Sequence, residues 1–162
     1  MRADTNLDFE SANCTEFDWC SAFAGGSSFC TQSAWRRLKL GRVLKASGGH
    51  GQWFGLPQPV DHERELAKDL HGLALTAINV DDLTGDLTLE LRESNCIEIR
   101  ISSSGYESYS FRLFGHEYVG GGGGEPTVVV PTPRAHEFVS CRVVGGFGTH
   151  QPPWEAAAEH AA

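Results

Sequence analysis

Residues 85–125 read GDLTLELRESNCIEIRISSSGYESYSFRLFGHEYVGGGGGE, and the reading of this stretch decides the fold. Leu87, Leu89 and Leu91 alternate with Asp86, Thr88 and Glu90, the pattern of a strand with one buried and one solvated face. Residues 92–95 break that pattern as a tight connection does. Ile97, Ile99 and Ile101 alternate with Glu98 and Arg100 as a second strand, and β-branched Ile suits a pleated, half-buried surface. Residues 102–105 are small and polar, so the chain turns or bulges there. Tyr109, Phe111 and Leu113 make a third strand, Gly115 and His116 turn it, and residues 117–119 make a short fourth. Connections this short allow only antiparallel neighbours. The stretch therefore predicts a four-stranded meander whose apolar face needs a cover.

The cover is predicted from the segments upstream. Residues 1–15 carry few apolar side chains and read as a loose entry. Phe17, Trp19 and Phe23 suggest a first strand, and Gly25–Gly26 a hairpin break. Residues 29–35 read as the returning strand and residues 35–40 as its continuation, before a turn at residues 40–42. The Trp35–Val43 segment parallels Ser110–Val119, with Leu38 matching Leu113 at a separation of 75 residues. Two meander-like halves related by duplication would bury each other's apolar faces. One principal helix is expected over residues 61–71. Asp61 caps it, Glu63 and Glu65 sit near its positive end, Leu66 and Leu70 form its apolar stripe, and Gly72 stops it. Residues 73–80 read as a further strand. The predicted fold is a single α+β domain rich in antiparallel sheet, with residues 16–125 globular and residues 126–162 a Pro/Gly-rich peripheral tail. Trp35, Leu38, Leu66, Leu70, Leu87, Leu89, Ile97, Ile99, Phe111 and Leu113 are its expected core.

The chain has 162 residues, enough for one domain with a real core. Its net charge of −8 argues against binding a nucleic-acid backbone and is compatible with a basic protein partner. No run of about 18 apolar residues is present to cross a membrane. Cys14, Cys20, Cys30, Cys96 and Cys141 include no C-x-x-C pair, and the polar N-terminus lacks the apolar core of a signal peptide. A cytoplasmic protein with reduced thiols is the expectation.

Chemistry is sparse. His50, His62, His71, His116, His136, His150 and His160 show no zinc-ligand spacing, so neither a metal nor a cofactor is expected. Ser103 is not the centre of a G-x-S-x-G elbow, and the serines of residues 102–104 read as a turn that projects Tyr106 and Glu107. Asp81, Asp82 and Asp86 lack the D-x-D-x-D-G pattern of a calcium loop and read as a polar turn. Residues 47–59 form a Gly/Pro-rich linker, in which Trp53 and Phe54 are expected to pin the loop to the core.

Several phrases together resemble a family of small uncharacterised bacterial proteins. They are His50-Gly51-Gln52, Phe54-Gly55-Leu56-Pro57, Val60-Asp61, Gly85-Asp86-Leu87 and Ser103-Ser104-Gly105-Tyr106-Glu107-Ser108. The resemblance covers about residues 17–125, and it departs from the family pattern at Gly49 and at Tyr109. Some relatives are suspected immunity proteins, non-enzymatic antidotes to secreted bacterial toxins. The resemblance points to a non-catalytic domain that neutralises a cognate toxin by direct binding; the projecting Tyr106 and Glu107, with His50 and Gln52 of the loop, are the expected contact residues. The alternatives are a small enzyme using the His50 loop with Tyr106 and Glu107, or a regulatory binding module. No oligomeric state follows from either.

Overall fold

The computed structural model describes residues 1–15, 18–103, 106–121, 126–130 and 142–143. Strands β1 (Arg2–Cys14), β2 (Trp19–Phe23), β3 (Ser27–Thr31), β4 (Trp35–Lys39) and β5 (Arg42–Ala46) precede helix α1 (His62–Leu70). Strands β6 (Ala74–Val80), β7 (Leu87–Leu91), β8 (Asn95–Ile99), β9 (Glu107–Leu113), β10 (His116–Gly121), β11 (Thr127–Val130) and the two-residue β12 (Arg142–Val143) follow it. All the strands join one antiparallel sheet in the order β12-β11-β10-β9-β3-β2-β1-β6-β7-β8-β4-β5. The fold is thus mostly β with a small α component, as the alternation implies.

The first fifteen residues are a correction. They are not a loose entry: β1 stands in the middle of the sheet, pairing with β6 through its first half and with β2 through its second. Its register shifts at Asp4/Leu7 and at Phe9/Ser11, and the second of these helps to conceal it in the sequence. Ala3, Leu7 and Phe9 pack on the core at odd positions, and past the second shift the core-facing residue is Ala12. An extra residue flips the alternation.

Because β1 serves both halves, the sheet can fold back on itself. Trp19 in β2 and Trp35 in β4 are separated by four strands in the order, so a flat sheet would hold them about 24 Å apart. Their ring centroids lie 4.9 Å apart, edge to face. The Tyr109 hydroxyl of β9 likewise donates to the Gly85 carbonyl between β6 and β7, at 3.0 Å. All ten expected core residues are buried in the resulting interior.

The predicted four-stranded meander is divided. The β7–β8 and β9–β10 hairpins form, but β8 pairs onward with β4, and β9 with β3. For the same reason β3 and β4 are not one strand and its continuation; residues 32–34 carry the chain across to the other half. This exchange makes the halves equivalent. Replacing β1 by β6, β2 by β7, β3 by β8, β4 by β9 and β5 by β10, and the reverse, turns the ten-strand order into its own mirror reading. The two exchanged hairpins also share a turn with two positive-φ residues, Leu40–Gly41 and Phe114–Gly115. Those turns set the repeat at 74 residues, so the separation of 75 is one too many, and Arg37 rather than Arg36 matches the core position of Phe111.

Helix α1 starts and stops where expected: Asp61 accepts the Arg64 N–H at 3.0 Å, and Gly72 takes φ +77°. Leu66 and Leu70 are buried against the sheet. The reduced-thiol expectation is corrected at one pair. The turn at residues 24–26 places Cys20 directly across from Cys30, and the two form a disulfide, whereas Cys14 and Cys96 are free. In the tail, β11 and β12 extend the sheet beyond β10 at its outer end. Residues 131–141 and 144–162 of that predicted tail, the strand residue Phe17 and most of the glycine run lie outside the described residues.

Candidate functional site

The segment between β5 and α1 is built as a closed loop. A 3-10 turn at Ser47–Gly49 leads in, and the Ser47 hydroxyl accepts the Trp35 N–H at 3.1 Å. The Gly51 N–H donates to the Val60 carbonyl at 2.8 Å, and the Val60 N–H donates to the Gln52 carbonyl at 2.9 Å. These bonds join the two ends of the loop as in a compact Ω-type surface loop. At its tip the Leu56 N–H donates to Trp53 O, with Phe54 at φ +41° and Gly55 at φ +75°. A non-glycine residue in that region marks a tightly specified turn.

The tip faces solvent. Trp53 is 59% exposed, Phe54 73% and Leu56 51%. The expectation that Trp53 and Phe54 pin the loop to the core is therefore corrected. The turn dihedrals and the ladder at the base hold the loop closed instead.

His50 anchors the loop to the body. Its Nδ1 accepts the His62 backbone N–H at 3.1 Å, and its ring stands edge-on to Trp19 at 5.0 Å. His62 Nδ1 contacts Glu65 Oε2 at 3.1 Å. A Cβ at Gly49 would come within 2.7 Å of His62 Nε2, so any larger residue there must displace that ring. The His62 hydrogen bond, helped by the Lys45 charge, holds the Glu65 carboxyl below the ordinary glutamate range. Lys45 also reaches Asp69 at 2.5 Å, and the buried Arg37 donates to Asp69 at 3.0 Å and to Asn95 at 2.9 Å. Helix α1 is thus strapped to the β4–β5 hairpin, and the loop to α1.

The four sequence-predicted contact residues fall into two groups. His50 is half-buried at the loop base, and Gln52, two residues on, is exposed. Tyr106 is 80% exposed, and Glu107 opens β9, sharing a shallow depression with Asp18 and Gln32. Among the described residues no hydrogen bond, ion pair or ring contact joins the two groups, so the convergence that the enzyme alternative needs is not found among these side chains. Also among the described residues, no three His, Cys, Asp or Glu side chains cluster as a metal site would. Trp53, Phe54 and Leu56 were not among the predicted contact residues. Their signal is three large apolar side chains packed among Gly51, Gly55, Pro57 and Pro59, too tightly turned for them to reach a core.

No family model, curated protein or solved structure matches the chain.

Proposed function

We propose that this chain is a non-catalytic protein-binding domain, and that it acts as an immunity protein blocking a cognate bacterial toxin. The observation that carries the reading is the closed loop with Trp53, Phe54 and Leu56 held out into solvent. A folded domain that spends three large apolar side chains on a well-specified turn has a use for them outside itself. Trp is the side chain most often found as an interface anchor, and a preformed loop loses little entropy on docking. The occupant it fits is an apolar pocket on a basic protein. The net charge of −8 speeds encounter with such a partner and disfavours an anionic bilayer surface, the other place an exposed Trp–Phe pair could settle. Tyr106 and Glu107 supply a second contact, one aromatic and one able to pair with a cation.

The test is binding to the product of the neighbouring gene, measured by calorimetry with the purified proteins. Trp53→Ser combined with Phe54→Ser should weaken binding about thirtyfold or more, the size of two anchor residues lost, with the melting temperature unchanged. Co-expression of the unaltered chain should rescue cells from that product, and the double variant should not. Full affinity and full rescue by the double variant would overturn the reading.

A further inference from the structure

We propose that His50 is a protonation-sensitive latch that couples the exposed loop to the start of α1 at neutral pH and releases it in acid. The effect on partner binding rests on the function proposed above; the latch itself does not.

The argument starts from one hydrogen bond. The His62 backbone N–H can only donate, so His50 Nδ1 must accept, and the ring proton of neutral His50 sits on Nε2. Protonation puts a second proton on Nδ1, pointing at the amide proton of His62. The acceptor becomes a donor facing a donor, and the bond is lost. Imidazole is the side chain that ordinarily makes this change between about pH 5 and 8.

The surroundings decide whether anything offsets the loss. From β2, Trp19 presents its ring to His50 and contributes no charge. From α1, Asp61 is occupied by the Arg64 N–H, and Glu65 by His62 and, from β5, by Lys45. The His62 ring stands 6.4 Å from that of His50, so it is a second titrating group on the same end of the helix. That end also carries the positive pole of the helix, which opposes a new cation. The two nearby carboxylates attract it, but their own bonds are already made. A carboxylate can hold the imidazolium near; it cannot restore an acceptor for the His62 N–H. The bonds between Gly51, Gln52 and Val60 contain no titrating group. The loop therefore stays closed in acid and becomes uncoupled from the helix.

The experiment follows the backbone amides and histidine ring nitrogens of the full 15N-labelled chain by NMR, at about pH 7.5 and about pH 5. The protection factor of the His62 amide should fall about tenfold in acid, the order expected for one lost hydrogen bond, while those of Gly51 and Val60 hold. His50→Asn places an oxygen acceptor near the position of Nδ1 without a titrating group, so its His62 amide should stay protected at both pH values. An unchanged His62 amide in the natural chain, or the same tenfold fall in His50→Asn, would overturn the latch; the second result would assign the effect to the His62 ring. Should His50→Asn not fold, the ring nitrogens decide: a proton found on Nδ1 of His50 at neutral pH overturns the latch, and one found on Nε2 supports it. None of these readouts uses a partner, so they succeed or fail independently of the binding function.

Discussion

Tyr109 occupies the space in which a side chain at its cross-strand partner Gly120 would sit. Its hydroxyl reaches on to the Gly85 carbonyl and so ties β9 to the opposite half of the sheet. The first glycine of the Gly120–Gly124 run is thereby explained by packing: the ring needs the missing Cβ. Gly120→Ala should cost about 1–3 kcal/mol, the usual penalty for overfilling a packed site, and Tyr109→Phe about 1 kcal/mol for the orphaned carbonyl. Urea unfolding of both variants measures this, and a Gly120→Ala chain as stable as the natural one would show the ring to be elsewhere.

The same ring predicts an alkaline limit. Burial, aided by the Asp86 charge, pushes the Tyr109 phenol up to about 12 from an ordinary value of 10.0. The folded state therefore favours the neutral phenol. The stability this contributes is intact below about pH 10 and is lost as pH rises through about 12. Melting temperature followed from pH 9 upward should fall over that window in the natural chain, and Tyr109→Phe should flatten the fall. Identical curves for the two proteins would contradict the assignment.

The Cys20–Cys30 bond closes a short loop at a sequence separation of 10. By the chain-entropy estimate such a loop is worth about 2–3 kcal/mol. Cys20→Ala with Cys30→Ala should therefore lower stability by about that amount without altering the sheet. Unfolding in urea with and without reductant is the check: the natural chain should lose stability on reduction, and the double variant should be indifferent to it.

How much of this was legible in the sequence depends on what sets each feature. The β7, β8 and β9 strands were read directly because Leu87–Leu91, Ile97–Ile99 and Tyr109–Leu113 alternate without interruption. Their pairing was not, because alternation fixes which face is buried and says nothing about which strand lies alongside. Placing β4 beside β8 and β9 beside β3 is a long-range choice made by the closure of the whole sheet. Strand β1 escaped for a different reason: the register shift between Phe9 and Ser11 puts Ala12 out of step with Ala3, Leu7 and Phe9. At the candidate site, the loop motif marks the segment that holds His50 and Gln52, but not the outward face of Trp53 and Phe54. Large apolar side chains ordinarily go inside, and only the closure bonds at Gly51 and Val60 show that these cannot.

Gly49 tests how tightly the latch region is packed. With His62 Nε2 at 2.7 Å from a Cβ there, Gly49→Ala must displace the His62 ring and with it the Glu65 contact. A loss of about 1–3 kcal/mol is expected. The displaced ring should also let the Glu65 carboxyl rise toward the ordinary range. In the natural chain that carboxyl is held low, so its contribution is present above about pH 4.5 and disappears as pH falls. The acid limb of the stability curve should be shallower in Gly49→Ala. An unchanged acid limb would mean that His62 does not hold Glu65.

The last prediction concerns Arg37, which stands at the core position matched by Phe111 in the other half. Its guanidinium is buried and bonded to Asp69 and Asn95, and among the described residues its Nε has no partner. A buried ion pair gives back much of its attraction as desolvation, so exchanging the cation for an apolar chain of similar length is cheap, whereas stranding it is not. Arg37→Met should therefore change stability by less than about 1.5 kcal/mol, because Lys45 still serves Asp69. Asp69→Ala should cost about 3 kcal/mol or more, since Arg37 stays buried with only the amide oxygen of Asn95 as partner. Urea unfolding of the two single variants and of the double variant decides it. The double variant should recover most of what Asp69→Ala loses, because it removes the stranded charge. If Asp69→Ala proves milder than Arg37→Met, Arg37 has reached water, and the strap between α1 and the hairpin is carried by Lys45 alone.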